Sequence, residues 1–191
     1  MVETPLVEAA KRWVIERYAY NNYHLVRTLE WLERLAPESS EAVRLAALTH
    51  DMERAFPGPD QPLAAALDDP TYMVLHSERS ARIVGEWLRE NHAHEELVQA
   101  VQRLIEFHEF GGWREANLIQ AADSLSFLDV NIDLFLNMVR SGKRTAEDVR
   151  RKFEYSYTRI QVPEAKTIAL PMLEQANARL AAAVLEGVAR P

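Results

Sequence analysis

The 191 residues are 48% hydrophobic and 27% charged, enough for one well-buried domain and too apolar for a disordered chain. A formal net charge of −7 argues against a general nucleic-acid binder, which needs clustered Lys and Arg, though not against a small nucleotide held by a metal and a few arginines. The absence of cysteine rules out disulfides, a thiolate nucleophile and Cys-ligated zinc, so any metal must be held by imidazole and carboxylate.

Apolar residues recur at three- and four-residue spacing and glycine is scarce, which predicts an all-α chain. A first helix is expected from Thr4-Pro5, with Thr as cap and Pro in the first turn, to about Tyr18. A second runs from about Asn22 to Leu35. A third starts at Ser39 or Ser40, with Glu41 and Arg44 in its first turn, and ends near Met52. Proline and glycine from Phe56 to Pro62, then Asp68-Asp69-Pro70, predict a long loop over 55–70 with a short turn at 63–67. Such a loop is either a binding element or a surface excursion. Helices resume over 71–91, 95–108, 114–140, 145–157 and 163–188. The last carries Ala165, Ala169, Met172, Leu173, Ala176, Leu180 and Ala183 on one stripe. That stripe packs on the domain or, as the weaker alternative, pairs two copies. No linker divides the chain. No apolar run approaches the about 20 residues of a membrane span, and MVETPLVEAAKRW lacks the pattern of a signal peptide. The expectation is a cytoplasmic protein.

Of six histidines, His92 and His94 lie in a polar stretch and read as solvated. The others lie in apolar surroundings. His50-Asp51 closes the strongly apolar helix Val43–Thr49. His76 falls on the inward stripe with Met73, Ser80, Ile83, Val84 and Trp87. Asp123 sits between Leu118-Ile119-Gln120-Ala121-Ala122 and Leu125-Ser126-Phe127-Leu128, where a carboxylate is costly unless a cation or hydrogen-bond donors meet it. Taken singly, each has an ordinary reading as a hydrogen-bonded core residue. Several converging on one small core point to a shared cation. Imidazole and carboxylate suit Fe, Mn, Ni or Zn.

His24, then His50-Asp51, then Asp123 resembles the H…HD…D signature of the HD superfamily of metal-dependent phosphohydrolases. The match covers residues 20–130. His24 opens a helix with Arg27 one turn on, and Ala121-Ala122-Asp123-Ser124-Leu125 is similar to the family's A-D-x-(I/L) segment. The resemblance implies one HD-domain helical bundle over 1–191, with its core at about 20–130 and the helices of about 131–188 packed on it. It also implies the metal ligands His24, His50, Asp51 and Asp123. His76 and His108 resemble the extra pair of the two-metal branch. There Asp51 would bridge the ions, His24, His50 and Asp123 would hold one, and His76 and His108 the other. His108-Glu109-Phe110-Gly111-Gly112 is only faintly similar to the HD-GYP segment, since the second adjacent His and the Gly-Tyr-Pro are missing. The layout looks closer to small bacterial HD hydrolases, including those that cleave dinucleoside polyphosphates.

The resemblance implies hydrolysis of a nucleotide or other small phosphate ester by a metal-activated water placed near Asp51. Glu53 is a candidate proton shuttle or a support for the ligands, or else it caps the helix end or faces solvent. Arg27, Arg54 and Arg79 are candidate phosphate donors, with surface ion pairs as the alternative. Lys143, Arg144, Arg150 and Arg151 read as a solvated face broken by Glu147 and Asp148. Two other functions fit the same ligands: a di-iron oxygenase, and a non-catalytic module that uses the metal for stability or ligand sensing. The expected partner is a small phosphorylated molecule, with neither a membrane nor nucleic acid in general.

Overall fold

The computed structural model describes residues 4–63, 66–67 and 69–188. Among them the chain is all-helical, without strands. In order come α1 (Pro5–Arg17), α2 (Asn22–Leu35), α3 (Glu41–Thr49), a short 3-10 helix (Met52–Ala55), α4 (Pro70–Glu90) and α5 (Glu95–Glu106). Then follow α6 (Arg114–Val130), α7 (Ile132–Arg140), α8 (Ala146–Thr158) and α9 (Pro163–Val188). Among these residues no helix is long and apolar enough to cross a membrane.

Local chemistry sets many of the ends. Thr4 Oγ1 accepts from Val7 N and Pro5 opens α1. Asp69 accepts from the backbone N–H of Thr71 and Tyr72, and Pro70 follows it. Thr145 and Asp148 form a reciprocal capping box at α8.

Three expected boundaries move. α3 stops at Thr49, whose hydroxyl donates to Leu45 O, and His50-Asp51 forms the joint to the 3-10 helix. α5 stops at Glu106, so His108 stands in the following turn. The single helix expected over 114–140 is two, broken at Asn131. Both halves are apolar and neither Gly nor Pro marks the break, so periodicity runs through it. The short turn expected over 63–67 falls partly on residues 64 and 65, outside the described residues.

One buried apolar cluster extends from Val7 to Ala183. α2 packs on α6, α4 on α5, and α3 reaches α1, α2, α5 and α6. α9 closes the other side against α6, α7 and α8, using Ala165, Ala169, Ala176, Leu180 and Ala183. Each large side chain buried here, such as Leu25, Leu48 or Phe153, contributes about 1.5–3 kcal/mol of transfer free energy. The polar residues His24, His50, Asp51, His76, His108 and Asp123 are buried inside this frame.

Candidate metal centre

Four imidazoles converge. The ring centroids of His24 and His50 are 5.7 Å apart, those of His50 and His108 4.8 Å, and those of His76 and His108 5.1 Å. The α2–α6 seam supplies His24 and Asp123. The end of α3 supplies His50 and Asp51, α4 supplies His76, and the turn after α5 supplies His108.

Hydrogen bonds at the back of each ring fix which nitrogen faces inward. Ser126 Oγ donates to His24 O at 2.8 Å, so toward His24 Nδ1, 2.9 Å away, it acts as acceptor. His50 Nδ1 donates to Ala47 O at 2.9 Å, and His108 Nδ1 to Ile105 O at 2.7 Å. His76 Nε2 donates to Glu109 Oε1 at 3.3 Å. In the neutral tautomers this leaves Nε2 of His24, His50 and His108, and Nδ1 of His76, as lone pairs aimed at one volume. His50 Nε2, His76 Nδ1 and His108 Nε2 are buried with no hydrogen-bond partner among the described residues.

What these lone pairs face is another set of acceptors. Asp123 Oδ1 is 3.2 Å from His24 Nε2 and 3.5 Å from His50 Nε2. Asp51 Oδ1 is 3.6 Å from His76 Nδ1, and Asp51 Oδ2 is 4.0 Å from His50 Nε2. Acceptor facing acceptor is unfavourable unless a proton or a metal cation lies between them. Neighbouring ligand atoms on an ion with bonds of about 2.0–2.2 Å stand roughly 3.0–3.5 Å apart, so the donor set fits such a cation. Among the described residues three groups could hold a metal ion, each with ligand atoms within 4.8 Å of one another: His24, His50 and Asp51; His50, His108 and Asp123; and Asp51, His76 and His108. Asp51 belongs to the first and the third.

Electrostatics follow from the same packing. Burial disfavours a charged His50, but Asp123 and Asp51 outweigh it and raise its pKa to about 9. Burial, with His50 adding to it, pushes His108 down to about 3. Burial would raise the Asp51 pKa, yet Arg54 and the imidazoles hold it below the usual carboxylate range. Arg159 does the same for Asp123 and Glu109 against their burial. Glu53 goes the other way: its burial, reinforced by Asp51, raises its pKa against the pull of Arg54.

The expected arginines separate. Arg54 Nη1 donates to Asp51 Oδ2 at 2.6 Å and lines a cavity of about 220 Å³ shared with His24, Asp51, Glu109 and Asp123. Arg27, expected as a phosphate donor, is instead a half-exposed residue held at the α2–α6 seam by Glu30 (2.7 Å) and Asp129 (3.0 Å). Arg79 also lies away from that cavity. It donates to Glu53 O and Phe56 O and pairs with Glu53 and Asp60, bracing the loop after the 3-10 helix. Glu53 is buried, with Oε2 on Arg79 and Oε1 lacking a hydrogen-bond partner. His92 and His94 are exposed.

Two residues of the centre escaped the sequence reading. Glu109 orients His76, and Arg159 bridges Glu109 Oε2 and Asp123 Oδ2. Their signal was weak: Arg159 follows the inward positions Phe153 and Ser156 at helical spacing, at the end of a helix rich in solvated charge.

Among known families, the model of a domain of unknown function, DUF4202, matches residues 7–184. No curated protein and no solved structure matches the chain.

Proposed function

The chain belongs to the DUF4202 family, and we propose that its buried centre is that of a metal-dependent phosphohydrolase acting on a small phosphate ester. The observation that carries this reading is the convergence of four inward lone-pair nitrogens on two carboxylates beside a cavity that Arg54, Lys152 and Arg159 line. The H…HD…D resemblance supports it. His24, His50, Asp51 and Asp123 would hold one ion, and His76 and His108 a second, with Asp51 between them. Two of the possible groups, His24-His50-Asp51 and Asp51-His76-His108, share only Asp51, as a two-ion site bridged by Asp51 would, while His50-His108-Asp123 fits a single ion. The ligand types suit Fe, Mn, Ni or Zn.

A divalent ion bound here supplies Lewis acidity to a phosphoryl oxygen and lowers the pKa of a water. The protein's own residues do the rest. Ser126, Ala47, Ile105 and Glu109 lock the ring orientations, which preserves ligand geometry. Among the described residues, three carboxylates (Asp51, Glu109, Asp123) and three cations (Arg54, Lys152, Arg159) line the cavity. With neutral imidazoles that wall is formally balanced, so each divalent ion leaves it positive and matched to a phosphate dianion. Arg54 and Arg159 hold the carboxylates of the centre and add positive charge to the cavity wall. Glu53, buried with a raised pKa and not part of the cavity lining, would reach a leaving alkoxide only through an intervening group.

The test is elemental analysis of freshly purified protein, followed by phosphate release from a panel of nucleotides and other phosphomonoesters. Stoichiometric transition metal is expected, with turnover that chelator abolishes and added metal restores. Fully loaded protein that releases no phosphate from any member of the panel would overturn the hydrolase reading. Dioxygen consumption by iron-loaded protein would replace it with oxygenase chemistry.

A further inference from the structure

Two asparagines in the cavity wall stand at helix starts without capping them. Asn21 precedes α2, and Asn131 joins α6 to α7. Asparagine is among the best N-cap residues because its side-chain oxygen accepts from the first helical N–H groups. Neither does so here. Their backbones explain why: Asn21 has φ −149° and ψ 27°, and Asn131 φ −97° and ψ −6°, both outside the extended geometry of a cap.

Both residues are nonetheless buried, 3% and 4% exposed. Each Oδ1 is buried and lacks a hydrogen-bond partner, and both residues line the cavity that His24, Asp51 and Asp123 share. Two carboxamide oxygens thus make no cap bond and are withdrawn from bulk water, and no donor among the described residues meets them. An uncompensated buried amide is costly.

Lys152 lines the same cavity. Its ammonium lies 5.5 Å from the ring centroid of Phe127 and 5.1 Å from that of Tyr155. Arg54 and Arg159 are each tied to carboxylates of the centre. Among the described residues, no carboxylate lies within ion-pair distance of Lys152, so it is the cavity cation left to meet an incoming anion.

Resting on the phosphohydrolase reading, we infer that Asn21, Asn131 and Lys152 form the specificity face of the site. The two carboxamides hydrogen-bond a hydroxyl-bearing organic group of the ester, while the Lys152 ammonium takes its anion. The preferred substrate class is therefore a small polyol or sugar phosphate rather than an alkyl phosphate of the same size. A site built to hydrogen-bond a hydroxyl discriminates strongly against an analogue without it, because its own groups are then left unpaired.

The experiment compares ribose 5-phosphate with cyclopentylmethyl phosphate, a five-membered ring without hydroxyls, on metal-loaded full-length protein. It measures turnover and, separately, calorimetric binding. A preference for ribose 5-phosphate of at least about tenfold in kcat/KM is expected. Asn21→Ala and Asn131→Ala should each shrink that ratio through KM, with unfolding temperatures close to the parent's. Lys152→Met should raise KM for both esters and weaken binding of inorganic phosphate, and Lys152→Arg should restore much of it. Turnover with a ratio indifferent to both asparagines overturns the subsite and leaves the hydrolase reading standing. No turnover, but ribose 5-phosphate binding weakened by the asparagine variants, overturns the hydrolase and keeps the subsite. Absence of binding, or asparagine variants that lose only stability, overturns the subsite.

Discussion

Arg159 and Asp123 divide one carboxylate between two tasks: Oδ2 is bound to the Arg159 guanidinium, while Oδ1 stands 3.2 Å from His24 Nε2 and 3.5 Å from His50 Nε2. The arginine therefore holds the acid in place without removing it from the imidazoles. Its other arm holds Glu109, which orients His76. Arg159→Met would leave two buried carboxylates short of a cation, and breaking one side of such a buried network costs about 3–5 kcal/mol. A bound divalent ion offsets part of that charge. The loss in unfolding free energy should therefore be larger in chelator-treated protein than in metal-loaded protein. Equal losses in the two states, by denaturant titration, would uncouple Arg159 from the centre.

Removing ligands should remove metal and activity together. His50→Ala and Asp51→Ala are each expected to lose bound metal and phosphate release, since both belong to two of the possible ligand groups. His76→Ala should lower the content from about two ions to about one under the two-metal reading. The check is elemental analysis of each variant after identical purification. Full metal in both His50→Ala and Asp51→Ala would mean the centre lies elsewhere, and unchanged metal in His76→Ala would leave a mononuclear site.

The residues legible in the sequence were those whose polarity clashed with their surroundings. Asp123 within Ala121-Ala122 and Leu125, and His50-Asp51 after an apolar helix, stood out because burying them demands a partner. A helix start was legible at Thr4-Pro5, where a cap and a proline coincide, whereas Asp69-Pro70, read as the end of the loop, caps and opens α4. Arg159 was not, since a charged residue at the end of a charged helix looks solvated, and its partners are 36 and 50 positions away. Nor was the break at Asn131, where apolar periodicity continues on both sides. Arg27 and Arg79 were named for being near ligands in sequence, but acids on neighbouring elements capture both.

Asp60 gives a test in pH. The Arg79 hydrogen bond, more than any other influence, holds its pKa below the ordinary value, and Arg82 assists from 2.7 Å. A carboxylate depressed in the folded state stabilises above its unfolded pKa, about 3.9, and loses that contribution as pH falls through the lower folded value. Asp60→Asn should therefore lower the unfolding temperature at neutral pH. The gap to the parent should narrow steadily below about pH 4. A gap that persists unchanged at the acid end would show that the charge of Asp60 does not anchor the loop to Arg79.

Gly111 ends the turn that carries His108 and Glu109, with φ +70°. L side chains pay about 1–2 kcal/mol in this left-handed region. The space is also occupied, because a Cβ there would lie 2.3 Å from Asn117 Oδ1 and 2.8 Å from Gln161 Nε2. Asn117 Oδ1 accepts from Gly112 N, and Gln161 Nε2 donates to Phe110 O, so both side chains tie down the same turn. Gly111→Ala must therefore strain the backbone and displace its two anchors. Gly142 offers the control: its φ is +71° and a Cβ there would meet nothing within 4 Å. Gly142→Ala should cost only the backbone penalty of about 1–2 kcal/mol. Gly111→Ala should cost more and should also weaken metal binding, since His108 and Glu109 move with the turn. Equal losses for the two variants, with metal affinity unchanged, would show that the turn gives way without disturbing the centre.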